Sequence, residues 1–142
     1  MVSYRDLGAA GTLVVPFLIV LASRVVWGTS LPSELPRQWD AAGVSATMPS
    51  TVAFAVIALI CLLAGVLGLS SLRGMPYLRR RIFLGAGAVA GIACALWLVA
   101  AGQAAAGSTD LGGWGLVAIL AGAYGFIPFF LSAPSDVDEY AP

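Results

Sequence analysis

The sequence predicts an all-α integral membrane protein in which four transmembrane helices form an antiparallel bundle. Hydrophobic residues make up 60% of the 142 residues and charged residues 10%, against about 45–50% and 25% in soluble domains. Four apolar runs are each long enough to cross a bilayer, which takes about 20 helical residues. None of the runs alternates with a period of two, as a membrane-barrel strand would.

The predicted helices belong to one domain that covers the whole chain. Their approximate bounds are 7–27, 51–72, 82–101 and 113–131. The first run is too long for the apolar core of a signal peptide and lacks a small-residue cleavage pattern, so we expect it to be a membrane helix. Pro16 and Pro128 fall inside the first and fourth helices, where neighbouring helices can satisfy the carbonyls that proline leaves free.

The arginines predict the orientation of the bundle. Arg73, Arg79, Arg80 and Arg81 crowd the link between the second and third helices, and Arg5 lies on the same side. The opposite side has only Arg24 and Arg37. Because basic residues concentrate in cytoplasmic loops, we expect both termini in the cytoplasm and the 28–50 loop outside. The acidic stretch 134–142 is then a short cytoplasmic tail.

The outer loop 28–50 carries the most specific local pattern. Pro32 and Pro36 restrict the backbone to extended or turn geometry. Asp40 and Gly43 have the spacing of a type I turn, in which an aspartate caps the first position and a glycine occupies the fourth. We expect an ordered cap that lies on the helices.

Small residues repeat at helical spacing in the third and fourth helices. Gly87, Gly91 and Ala95 form one ridge, and Ala118 and Gly122 form another. Such ridges allow two helices to approach closely, either inside the bundle or against another protein chain.

Two further groups have competing interpretations. Arg79, Arg80 and Arg81 can contact anionic lipid headgroups, or act only as determinants of topology. Cys61 and Cys94 lie at similar predicted depths; we interpret them as apolar filling, although the sequence leaves open whether they are close in space.

The composition disfavours catalysis. The chain has no histidine, so the usual haem ligand, the commonest zinc ligand and the commonest general base are all missing. We expect no catalytic residues, no metal site and no cofactor. A net charge of zero also makes nucleic acid an unsuitable partner. Tyr124 is a polar side chain well inside a predicted helix, and we expect it to form an interhelical hydrogen bond.

The outer loop resembles the SdpI-like family of bacterial membrane proteins. The family signature follows the first membrane helix and reads Leu-Pro-x-x-(Ile/Val/Leu)-Pro-x-His-(Trp/Phe)-(Asn/Asp)-x-x-Gly. The matching residues here are Leu31, Pro32, Leu35, Pro36, Trp39, Asp40 and Gly43, and the resemblance covers about 9–70. Gln38 stands where the family has histidine, so any metal or proton chemistry of that histidine is lost, whereas a hydrogen-bonding role is kept.

The resemblance implies a non-enzymatic, multi-pass protein of the bacterial inner membrane. We expect it to recognise an extracytoplasmic peptide or protein through Pro32, Pro36, Gln38, Trp39, Asp40 and Gly43. The alternative is a small accessory subunit of a larger respiratory or transport complex, docked through the small-residue ridges. A membrane enzyme or carrier is the third and least favoured hypothesis, because we find no deeply placed charge in the predicted spans.

Overall fold

The computed structural model describes residues 3–41, 43–108 and 113–132, and only the backbone of Trp39 and Asp40. The predicted acidic tail lies outside the described residues. Within them, four helical segments are long and apolar enough to cross a membrane. These segments are Tyr4–Val26, Ser50–Ser71, Pro76–Ala105 and Trp114–Leu131. The predicted all-α, four-helix fold is confirmed, with one small β-hairpin added to it.

The first span consists of α1 (Tyr4–Thr12) and α2 (Val15–Val26). A capping box starts α1: the backbone N–H of Asp6 donates to the Ser3 hydroxyl, and the Ser3 backbone N–H donates to the Asp6 carboxylate. Pro16 lies in the first turn of α2, where a missing N–H is tolerated. The link between the two helices keeps right-handed helical dihedral angles, so the span continues across the break.

A β-hairpin connects the first two spans. Its strands, β1 (Glu34–Asp40) and β2 (Gly43–Pro49), pair antiparallel. The ordered cap predicted over 28–50 is therefore largely a hairpin, because prolines that exclude a helix also favour extended backbone. The second span, α3 (Ser50–Ser71), begins directly after β2.

The third span is longer than the sequence predicts. Helix α4 (Pro76–Ala105) extends past the predicted bounds at both ends. Proline suits the first position of a helix because its fixed φ is already helical and its missing N–H is not needed there. Arg79, Arg80 and Arg81 consequently lie in the first two turns of α4. This corrects their predicted placement in a loop between helices.

The fourth span changes helix type at its centre. It consists of α5 (Trp114–Leu120), a 3₁₀ segment (Ala121–Gly125) and α6 (Phe126–Leu131). Pro128 has no N–H to give to the carbonyl four residues earlier, so the regular α-helical ladder is interrupted here.

Contacts between helix ends show that the four spans alternate in direction. At one end, Asp6 at the start of α1 pairs with Arg79 at the start of α4, and Arg5 donates to the last carbonyls of α6. At the other end, Ser23 near the end of α2 bonds to Trp97 in the second half of α4. We call these two ends of the bundle the arginine end and the hairpin end.

Two buried clusters form the core. One lies at the hairpin end and contains Val20, Leu35, Cys61 and Trp97, so the hairpin packs directly on the helices. The other lies at the arginine end around Phe83. Many large apolar side chains of the spans remain exposed on the outside of the bundle, as contact with lipid requires.

Candidate functional site

The hairpin has a defined register with two irregularities. Pro36 pairs with Thr47 and Gln38 pairs with Ala46, so the register shifts at the residue between Pro36 and Gln38. A proline cannot donate to the ladder, and such sites often coincide with a bulge. A second shift follows directly after Gln38. Bulges bend a strand, and this bend lies in the stretch that carries the predicted partner-binding residues.

The turn of the hairpin lies where the sequence predicts a turn. Asp40 pairs with Gly43, and these are the last paired residues of the two strands. Gly43 has a φ of +118°, a backbone conformation that favours glycine because it has no Cβ. The glycine at this position is therefore required by the shape of the hairpin.

One face of the hairpin packs on the helices and the other is free. The side chain of Leu35 is only 2% exposed and belongs to the core cluster at the hairpin end. Pro36 and Met48 are half-buried beside it, whereas Arg37 is exposed. A buried leucine thus fixes the hairpin to the bundle.

The residues predicted to bind a partner fall into three groups. Pro32, Gln38 and Gly43 are exposed on the hairpin and its approach. Trp39 and Asp40 occupy the end of β1 beside the turn. Pro36 instead faces inward and lines a cavity. The structure therefore brings the motif onto the hairpin and its approach, with Pro36 on the inner face and Pro32, Gln38 and Gly43 exposed.

Strand β2 is the least protected part of this site. It contains no charged residue, and its single proline is at the last position. Its exposed side chains include Val44 and Ser45. Thr47 donates to the Glu34 carboxylate of β1 at 2.5 Å, which ties the base of the hairpin together. The described sheet has two strands, so one edge of β2 has no β-strand partner there.

A cavity of about 240 Å³ lies between the hairpin and the helices. Both strands contribute to its lining, together with α3, α4 and α5. The lining is almost wholly apolar and includes Leu35, Met48, Val56, Trp97 and Ala118. The sequence does not reveal this cavity, because its walls come from segments far apart in the chain.

Trp97 forms the centre of the hairpin end. Its indole N–H donates to the Ser23 hydroxyl at 2.7 Å, and that hydroxyl donates to the Val20 carbonyl at 2.8 Å. The ring also makes an edge-on contact with Phe54, with ring centroids 5.5 Å apart. The polar atom of the indole is thus satisfied within the bundle, as a buried tryptophan requires.

A buried ion pair at the arginine end was not predicted from the sequence. Arg79 Nη1 lies 2.5 Å from Asp6 Oδ2, and the two side chains are 8% and 3% exposed. Arg79 Nη2 also donates to the carbonyls of Leu72 and Gly74, which follow the end of α3. One guanidinium therefore connects three spans, and the prediction that Arg79 contacts lipid headgroups is wrong. Helical spacing could have indicated that Arg79 points into the bundle, because it shares a helix face with buried Phe83, four residues later.

The other basic residues of this end differ in exposure. Arg80 is half-buried with its guanidinium 4.4 Å from the centre of the Phe129 ring. Arg81 is exposed and is the member of the triplet best placed for a headgroup. Arg5 donates to the carbonyls of Leu131 and Phe130. Two of the arginines thus bond to the carbonyls at helix C-termini, where a positive charge is favourable.

The glycines of both ridges lie at contacts between α4 and the 3₁₀ segment inside the bundle. A Cβ on Gly91 would overlap the carbonyl oxygen of Ala121, and one on Gly87 would stand 2.8 Å from the Cα of Gly125. A Cβ on Gly122 would stand 3.1 Å from the Ile92 side chain. These glycines therefore permit the close approach of α4 to the 3₁₀ segment.

Neither of the alanines in the two ridges is exposed. Ala118 is fully buried and Ala95 is half-buried. The close contacts of the glycines and the burial of the alanines favour packing within the chain over docking of a second chain.

Both cysteines belong to the core cluster at the hairpin end as free thiols. The Cys61 thiol faces the carbonyl of Ala90 at 3.8 Å, and Cys94 follows one helical turn after Ala90. The two cysteines therefore lie on facing parts of α3 and α4, which the sequence alone could not establish.

Among the described residues, no cluster of three or more metal-ligating side chains occurs. No protein-family model, curated protein or solved structure matches this chain. The resemblance to SdpI-like proteins accordingly rests on the loop motif alone.

Proposed function

We propose that this chain is a non-catalytic, multi-pass protein of the bacterial inner membrane that binds an extracytoplasmic peptide or protein through its hairpin. The observation that carries the proposal is the edge of β2 that has no β-strand partner among the described residues; this strand is uncharged and is held on the bundle by buried Leu35. Soluble and membrane proteins normally protect such edges with charges, prolines or a covering segment.

The chemistry of the edge favours an extended peptide as the partner. A peptide that lies alongside β2 would pair with its backbone N–H and C=O groups, and adjacent side chains would add selectivity. Strand β1 is less suited to this role because Pro36 has no N–H, and Glu34 and Arg37 are charged. The exposed Gln38 amide can donate and accept hydrogen bonds, which fits recognition of a peptide better than metal binding.

The orientation of the bundle supports an extracytoplasmic partner. The arginine end contains Arg5, Arg79, Arg80 and the exposed Arg81, so the rule that basic residues face the cytoplasm puts the hairpin outside. A secreted or periplasmic peptide could then reach the hairpin without crossing the membrane.

The second candidate function is an accessory subunit of a larger membrane complex. The glycine ridges no longer support it, but an apolar groove of about 420 Å³ between α3 and α4 does. Gly85 and Ala86 line this groove, and a Cβ on Gly85 would meet no atom within 4 Å. A helix of another subunit could lie there.

Purification of tagged protein in mild detergent, followed by mass spectrometry of accompanying chains, tests both functions. The hairpin variant is Ser45→Lys, which adds a charge to β2. Its matched control is Met75→Lys, which adds the same charge at an exposed site at the arginine end. The groove variant is Gly85→Leu.

We expect a partner chain that co-purifies with the wild type and with Met75→Lys but not with Ser45→Lys. A chain lost only from Gly85→Leu would instead support the accessory-subunit function. If wild-type protein extracted from its native membrane carries no partner under any mild condition, both functions are contradicted. Trp39→Ala and Asp40→Ala variants that fold, insert and keep every partner would contradict the role of the motif.

A further inference from the structure

We propose that the cavity beneath the hairpin holds one hydrocarbon chain of a bilayer lipid. This inference goes beyond the binding of a peptide, because it concerns the inner face of the hairpin and not its free edge. The observations that carry it are the shape of the cavity, the chemistry of its lining and the small residues that keep it open.

The cavity has a buried inner wall and a rim that faces outward. Leu35 and Trp97 are each 2% exposed and Ala118 is fully buried, so these residues form the inner wall. Val56 of α3 and Leu96 of α4 line the same cavity but are 48% and 44% exposed. Both exposed residues belong to membrane-spanning helices, so the cavity opens sideways towards lipid.

The lining selects hydrocarbon over water. A buried water needs two to four polar partners, whereas genuinely apolar cavities stay dry and accept apolar guests. The one indole N–H in the wall is already bonded to Ser23 and offers nothing to the cavity. An engineered apolar cavity of about 150 Å³ is enough to bind benzene, and this one measures about 240 Å³. Bilayer lipid supplies hydrocarbon chains directly at the opening.

Small residues create this space. Ala53 of α3, Ala100 of α4, and Gly115 and Ala118 of α5 all line the cavity. A leucine at Ala53 or Ala100 would place its side chain in the volume that the lipid chain occupies. The lipid chain lies between the hairpin and the helices, so it also supports the inner face of the hairpin.

Quenching of Trp97 fluorescence by brominated lipid tests the proposal. The protein would carry Trp27→Phe, Trp39→Phe and Trp114→Phe, so that Trp97 alone reports. It would be placed in phosphatidylcholine vesicles whose acyl chains are plain or brominated in the part of the chain nearest the headgroup. Bromine quenches tryptophan at short range, so a chain in the cavity strongly quenches the otherwise buried Trp97.

Matched substitutions separate the cavity from the outer surface. Ala53→Leu and Ala100→Leu fill the cavity, whereas Ala55→Leu adds the same bulk to an exposed position of α3. We expect both filling variants to lose most of the bromine quenching, and Ala55→Leu to keep it. Equal quenching in all variants would overturn the proposal.

A second quencher identifies a wet cavity. Acrylamide dissolved in the water phase should leave Trp97 unquenched in the parent protein. Quenching by acrylamide that the filling variants abolish would mean that the cavity holds water, and would also overturn the proposal. Neither result depends on a peptide partner, so the proposal and the function above fail separately.

Discussion

The hydroxyl of Tyr124 donates a hydrogen bond of 2.6 Å to the backbone carbonyl of Thr12. Thr12 lies four residues before Pro16, and its carbonyl is the one that a regular helix would bond to the N–H that proline lacks. A side chain from the fourth span thus satisfies a carbonyl that proline frees in the first. The interhelical bond predicted for Tyr124 is confirmed, and its partner explains how Pro16 is tolerated within a membrane span.

We predict that Tyr124→Phe destabilises the bundle and that Pro16→Ala removes most of this effect. Side-chain hydrogen bonds between membrane helices contribute about 0.6 kcal/mol on average and up to about 1.7 kcal/mol. Tyr124→Phe should cost an amount in this range, because the Thr12 carbonyl loses its partner. In the Pro16→Ala background, the new N–H can bond to that carbonyl, so the cost should shrink.

A double-mutant cycle measured by denaturant unfolding in mixed micelles checks this prediction. The informative quantity is the coupling free energy between positions 16 and 124. A coupling of zero would mean that the hydroxyl acts independently of the proline, and the explanation above would fail.

We predict opposite effects for alanine substitutions at two glycines of α4. A Cβ on Gly91 overlaps the backbone of the 3₁₀ segment, which cannot move aside as a flexible side chain could. Gly91→Ala should therefore destabilise by about 1–3 kcal/mol or more, the usual cost of overpacking. A Cβ on Gly85 meets nothing within 4 Å, so Gly85→Ala should be neutral or stabilise by up to about 1 kcal/mol through helix propensity.

Unfolding of the two variants under identical conditions makes the comparison, and each serves as the control for the other. Equal stabilities would show that α4 and the 3₁₀ segment do not approach as closely as the structure indicates. A Gly91→Ala protein that keeps its stability but loses a second chain would revive the docking interpretation of the ridge.

The sequence predicted the four spans because their signal is local: about twenty apolar residues in a row need no knowledge of the rest of the chain. The hairpin was harder to predict from the sequence. Prolines indicated extended backbone, and the alternation of apolar and polar residues over 44–48 is a strand signal that was missed. Helix bounds also shifted, because Pro76 starts α4 while its first two turns carry arginines that lower the local hydropathy.

The buried ion pair shows a second limit of sequence-based prediction. Asp6 and Arg79 are 73 positions apart, and only the assembly of the whole bundle brings them together. Taken alone, each residue looks like an ordinary charged residue at a membrane–water boundary, so neither indicates a buried pair. The cavity also depends on contacts between distant segments, because small residues on three helices enclose a space only when the hairpin covers them.

We predict that removal of Arg79 destabilises the bundle much more than removal of Arg81. Removal of one partner of a buried ion pair typically costs about 3–5 kcal/mol, because the other charge stays buried without compensation. Arg79→Ala also leaves the carbonyls after α3 without their donor. Arg81 is exposed, so Arg81→Ala should change stability by no more than about 0.5 kcal/mol.

Combining Asp6→Ala with Arg79→Ala tests whether loss of the ion pair causes the destabilisation. The Asp6→Ala/Arg79→Ala double variant should lose less stability than the sum of the single variants, since neither then buries an unpaired charge. Strict additivity would argue that Arg79 stabilises the fold only through the carbonyls of Leu72 and Gly74.

We predict that the hairpin end faces away from the cytoplasm. Ser45→Cys on β2 should react with a membrane-impermeant maleimide added to intact cells, and Gly74→Cys should react only after the membrane is opened. Both positions are exposed, whereas the native Cys61 and Cys94 are buried and should contribute little background. The expected orientation follows from the arginines concentrated at the other end of the bundle. Labelling of Gly74→Cys but not Ser45→Cys in intact cells would invert the topology, and the hairpin could then bind only a cytoplasmic partner.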